Sequence, residues 1–181
     1  MSRIKPLSEN ELSSSVKNAF EKHIKECNAR ITNMKAILGY SVIAFEAYMQ
    51  WYPLYTEVEK ILGKRMASLY AHSISCAADC PLCSTFFRKI IIDSGETPEK
   101  LELSESEKDV LNFGSGIAKH RGNIVNHLYN AVASKYNKTE MVILTAFAGI
   151  MIATNIFNNV IETEIDDYLE IYLPKKTDKS K

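Results

Sequence analysis

Apolar residues recur along this chain at intervals of three and four, with no convincing run of strict apolar–polar alternation. That period belongs to the helix, so the chain is predicted to be all-α. Ser8-Glu9-Asn10-Glu11 has the spacing of a capping box, in which serine and glutamate each satisfy a free backbone N–H. After it, Leu12, Val16, Ala19, Phe20 and Ile24 fall on one helical face. Ile31, Met34, Ile37 and Leu38 mark a second helix, stopped at Gly39. Ser41 opens a third through Ile43, Phe45, Tyr48, Met49 and Trp51, which Pro53 interrupts. A longer helical region over about 54–78, broken near Gly63, leads into Cys80-Pro81-Leu82-Cys83. The next helix spans 81–94 and is stopped by Gly95 and Pro98. Ser104-Glu105-Ser106-Glu107 is a second capping box, ahead of Val110, Leu111, Phe113 and Ile117. Segments 123–136 and 139–160 follow, with a last turn or two at 166–172. The sum is a single compact domain of about eight helices over 1–173, with a polar tail, 174–181, predicted to be disordered.

One segment imitates a membrane span, since 141–161 carries no charge. Its strongly apolar part, 141–153, is shorter than the ~20 residues a bilayer requires. Thr154, Asn155, Asn158 and Asn159 then interrupt it. The expectation is a helix buried on most sides of a soluble core, with no membrane involved. Gly149 and Ala153, four residues apart, are expected to pack in the core or between subunits. Buried amides need partners, so the three asparagines are expected to bridge helices, cap the helix end or line a pocket. Trp51 and Tyr52 read as core or interface anchors.

Charge excludes one class of partner. The 181 residues hold 22 basic and 22 acidic side chains, so nothing favours tracking a nucleic-acid backbone. The start, Met1-Ser2-Arg3-Ile4-Lys5-Pro6, lacks the apolar core of a signal peptide, and a cytoplasmic protein with reduced thiols is expected.

Three of the four cysteines, Cys76, Cys80 and Cys83, are concentrated in one stretch. In a reducing compartment C-x-x-C points to redox chemistry or metal binding. Pro81 fits the first helical position, which puts Cys80 at the N-cap and Cys83 at N3. The positive helix end there favours thiolate over thiol, and the thiolate is the nucleophile. His72 and Cys76 share a face if the preceding helix runs on, making His72 a candidate proton acceptor for a thiol. Cys76 is expected to be a packed apolar residue. A Cys3His zinc site from His72 and the three cysteines is the metal alternative, and it requires a break between Cys76 and Cys80. Arg88 and Lys89, on the new helix, are expected to form a solvated face.

On these residues the chain resembles the alkyl hydroperoxidase D-like, carboxymuconolactone decarboxylase superfamily. The match runs over 68–101, including Cys80, Cys83 and the Asp93-Ser94-Gly95-Glu96-Thr97-Pro98 turn, with flanking signals at 32–35 and 151–159. The resemblance implies that Cys83 reacts with a hydroperoxide, that Cys80 resolves it as a disulfide, and that a dithiol reductant of thioredoxin-like or lipoyl type restores the pair. The N-cap argument instead favours Cys80 as the more acidic thiol. The resemblance also implies a homo-oligomer, and this chemistry requires no organic cofactor. Two positions depart from the family: Ser68 stands where its relay glutamate would be, and Phe87 where its histidine would be. The expectation is therefore a thiol oxidoreductase acting on a hydroperoxide or a disulfide. The alternative is a redox-sensing, metal-binding or small-molecule-binding member of the same fold.

Overall fold

The computed structural model describes residues 1–174; residues 175–181, most of the predicted tail, lie outside the described residues. The architecture is all-helical, with no strand among the described residues. The helices are α1 (Ser14–Cys27), α2 (Asn33–Leu38), α3 (Val42–Met49), α4 (Trp51–Ala77), α5 (Pro81–Asp93), α6 (Glu105–Lys119), α7 (Asn126–Ala133) and α8 (Lys138–Ile161). Short 3-10 turns lie at Glu9–Glu11, Pro98–Lys100 and Asp167–Tyr172.

Helix α4 is the axle, with α5, α6 and α8 packed around it. Its inner face supplies Val58, Leu69, Tyr70 and Ile74 to a core completed by Phe113, Leu144 and Phe147. Buried Tyr70 keeps its hydroxyl satisfied by donating to the Leu144 carbonyl at 3.1 Å. Gly114 lets α6 approach: a Cβ there would lie 2.4 Å from the Tyr70 ring. Arg65 ties the far side, pairing with Glu96 at 2.8 Å and Glu107 at 2.5 Å. A smaller core of Val16, Phe20, Leu38 and Phe45 joins α1, α2 and α3. Gly39 ends α2 in right-handed conformation, so close packing explains the glycine: a Cβ would sit 2.6 Å from the Phe20 ring.

Three expectations need correcting. The first capping box closes only the 3-10 turn Glu9–Glu11; Ser13 caps α1 separately, accepting from Val16 N–H. Pro53 does not interrupt a helix: α3 ends at Met49, and Pro53 sits in the first turn of α4, where no intrahelical donor is needed. The kink falls at Gly63, whose φ of 78° suits glycine. Helix α8 is not buried on most sides. A third of its most apolar stretch is buried, and by length and composition it is long enough to cross a membrane. Val142, Ile156 and Val160 stand exposed along its outer face, and Gly149 faces open space.

Candidate active site

The C-x-x-C segment sits where α4 hands over to α5. Asp79 turns the chain in left-handed conformation, φ 48°, which aspartate tolerates better than most residues. Cys80 N–H donates back to the Ser75 carbonyl at 3.1 Å, closing the turn. Cys80 is then the extended N-cap of α5, with Pro81 behind it, and its carbonyl accepts from Ser84 N–H at 2.9 Å. Asn159 of α8 pins the turn by donating to the Ala78 carbonyl at 3.2 Å.

Both sulfurs are reduced and buried. The neighbouring Cys83 thiol, with the free N–H groups of Leu82 and Cys83, holds the Cys80 thiol below its usual range despite burial. Cys83 is pushed up by Cys80 and by desolvation. One group opposes that: Asn158 donates Nδ2–H to Cys83 Sγ at 3.2 Å and to Met34 Sδ at 3.3 Å. The Asn158 Oδ1 is buried without a partner among the described residues. The pair thus carries its first negative charge on Cys80, beside a Cys83 already furnished with a donor.

The two cysteines line different hollows. Cys83 lines a cavity of about 100 Å³, open on one side and walled by Trp51, Tyr52, Phe86, Phe87 and Met151. Cys80 lines a second hollow with Pro81, Asn159, Thr163 and Glu164, and Asn158 borders both. One part of the first cavity's lining is polar. There Lys35, 4 % exposed, donates to the Arg30 carbonyl and to Tyr52 Oη, each at 2.8 Å. Burial lowers Lys35 to about 8 and raises Tyr52 to about 12. Asp166 belongs to the same part, its Oδ1 accepting from Asn33 N–H at 2.8 Å, and burial raises it.

The residues singled out from sequence divide here. His72 reaches Cys76, with Nε2 3.5 Å from its Sγ, and makes no hydrogen bond to Cys80 or Cys83 among the described residues. Desolvation first, and Arg88 second, lower His72 to about 4, so it is neutral near pH 7. The expected acceptor therefore stands beside the wrong sulfur. Cys76 is exposed instead of packed, because it lies on the outer face of the last turn of α4. Arg88 pairs with Glu99 and Lys89 with Asp93, each at 2.5 Å, and neither cation hydrogen-bonds a sulfur among the described residues. The expected solvated face fails for Arg88, whose Nε is buried unpartnered among the described residues and whose charge acts on His72 and Cys76. Ser68 donates to the Arg65 carbonyl, and Phe87 is a cavity wall, so neither replaces a proton relay. Among the described residues no three His, Cys, Asp or Glu side chains are grouped to hold a metal.

Asn158, Lys35 and Tyr52 were not singled out as site residues. Their signals were present: amides inside an uncharged helix, and a lysine between Met34 and Ile37 where the apolar pattern wants no charge. Of the other asparagines, Asn155 is fully buried with neither amide atom partnered among the described residues.

No family model matches the sequence, and no curated protein matches it. Solved structures share the fold, two of the debrominase Bmp8 among them. The crystal structure of the debrominase Bmp8 in its apo form superposes with a TM-score of 0.73 at 14 % identity, over 93 % of this chain and 95 % of that one. A cysteine-to-alanine variant of Bmp8 in complex with 2,3,4-tribromopyrrole gives 0.73 at 13 % identity, over 93 % and 94 %. At such identity the likeness establishes the fold.

Proposed function

We propose that this chain is a thiol-dependent two-electron reductase of the alkyl hydroperoxidase D-like superfamily, using Cys80 and Cys83. One observation carries the reading: the sulfurs share a helix N-terminus, and one of them, Cys83, lines a cavity open on one side. The Cys80 thiolate takes the Cys83 proton, and Asn158 N–H supports the new Cys83 thiolate. That thiolate attacks the terminal oxygen of a hydroperoxide; an S–O bond forms and the O–O bond breaks. The departing alkoxide takes the proton from Cys80 and leaves as the alcohol. Cys80 thiolate then attacks Cys83 Sγ, forming the disulfide and expelling hydroxide, which solvent protonates to water. The roles follow the family order, with Cys80 doing the work of the absent relay. A dithiol reductant in a reducing cytoplasm restores the pair from the side of the second hollow, where Cys80 lies.

A second electrophile is favoured by the fold shared with a debrominase and by the aromatic walls. In that case Cys83 thiolate takes a ring bromine, the ring carbon takes the proton from Cys80, and the Cys80 thiolate displaces bromide from Cys83 to give the same disulfide. The exposed uncharged face of α8 supports a homo-oligomer built on that helix, and size-exclusion chromatography with light scattering tests it. The test of function is turnover of cumene hydroperoxide and of tribromopyrrole with dithiothreitol as reductant. Loss of turnover in both Cys80→Ser and Cys83→Ser is expected. Unchanged turnover in either ends the proposal.

A further inference from the structure

Lys35 is an unusual residue to find inside a helical domain. Both of its hydrogen bonds go to neutral oxygens, which leaves the third ammonium N–H without a partner among the described residues. Tyr52 oxygen accepts from Lys35, and among the described residues the Tyr52 hydroxyl donates to nothing. Its proton is therefore available, and a donor whose oxygen is already held by an ammonium is a strengthened one. Both side chains line the same cavity as Cys83.

We propose that Lys35 and Tyr52 recognise the hydroxyl of a small phenol-type ring held in the cavity beside Cys83. This rests on the reading that the cavity is the substrate site. Three features select the class. Six of the seventeen lining residues are aromatic, Trp51, Tyr52, Phe86 and Phe87 among them, which suits a flat ring. The volume, about 100 Å³ against the ~150 Å³ that encloses benzene in an engineered cavity, limits the occupant to one small ring, part of which projects through the open side. The polar part holds Lys35 and Asp166 together, and opposite charges there favour a neutral hydroxyl over a carboxylate. Tyr52 donates to the ligand oxygen, and the opposite edge of the ring, carrying the reducible substituent, faces Cys83.

Trp51, the single tryptophan of the chain, forms part of the wall and reports occupancy by heavy-atom quenching. The reduced protein is titrated with 4-bromophenol, bromobenzene and 4-bromobenzoate. Saturable quenching by 4-bromophenol is expected, with bromobenzene about tenfold weaker, as loss of one hydrogen bond implies. The benzoate is expected to bind more weakly than the phenol. Tyr52→Phe, which keeps the ring, brings 4-bromophenol to the affinity of bromobenzene and leaves bromobenzene unchanged. Lys35→Met does the same. Equal affinity for phenol and bromobenzene, preference for the benzoate, no quenching at all, or a phenol affinity untouched by Tyr52→Phe each overturns the inference. Peroxide-driven Cys80–Cys83 disulfide formation is followed in the same samples. If it proceeds while ring discrimination is absent, the inference fails and the thiol chemistry stands; if it is absent in wild type, the thiol chemistry fails on its own.

Discussion

Replacing Asn158 by leucine separates chemistry from folding. The amide donates one hydrogen bond to Cys83 Sγ at 3.2 Å and leaves its own buried oxygen unpaired among the described residues. A hydrogen bond to a charged group contributes about 1.5–3 kcal/mol. Its loss raises the Cys83 pKa further, and every ~1.4 kcal/mol of that difference is a tenfold change in the thiolate fraction. At a fixed pH below that value the Cys83 thiolate fraction, and with it the rate of disulfide formation, falls about 10- to 100-fold. Stability moves the other way: an unsatisfied buried acceptor is removed, and leucine is close in volume, so the melting temperature is expected to hold or rise. The assay is stopped-flow mixing with hydrogen peroxide, followed by acid quench, alkylation and mass spectrometry, with thermal unfolding run in parallel. A folded Asn158→Leu protein that oxidises at the wild-type rate refutes the reasoning.

The pair should also be distinguishable by pH: Cys80 is held low, so its alkylation by iodoacetamide persists to lower pH than that of Cys83 or an unfolded control; equal profiles contradict this. His23 and His72 both sit at about 4 in the fold against about 6.5 unfolded, so the unfolded chain binds more protons between those values. Their contribution is complete above about pH 6.5 and is lost as pH falls toward 4, which urea titrations at pH 7, 5.5 and 4.5 will show as a falling unfolding free energy. Gly114→Ala forces a methyl against the Tyr70 ring and is expected to destabilise by about 1–3 kcal/mol, measured by denaturant midpoint. Charging the outer face of α8 with Val142→Glu and Ile156→Lys is expected to lower the oligomeric mass without unfolding the chain; an unchanged mass rules that face out as the interface.

The helices were legible because their boundaries are written in local chemistry. Ser104 and Glu107 form their reciprocal cap, Ser41 caps α3, and Pro81 starts α5 with Cys80 as its N-cap. What misled was equally local. Ser8 and Glu11 satisfy the same rule yet enclose only a 3-10 turn, because Ser13, five residues further on, offers a competing cap. The surroundings of the sulfurs were less legible, since they depend on which distant segments meet. His72 is near the cysteines in sequence, but its hydrogen bonding goes to Cys76. Asn158 is 75 residues from Cys83, and only the packing of α8 brings it to the sulfur. Lys35 was visible as a charge in an apolar segment, but its partner Tyr52 comes from another helix. The apolar character of α8 was readable; the exposure of its outer face was not, because period alone does not say how many neighbours a helix has.

The most direct test of a Cys80–Cys83 redox pair is mass-mapped thiol trapping after one equivalent of peroxide. A disulfide between Cys80 and Cys83, formed while Cys27 and Cys76 remain alkylatable, is the predicted result. Oxidation confined to exposed Cys76, with Cys80 and Cys83 still free, would contradict it.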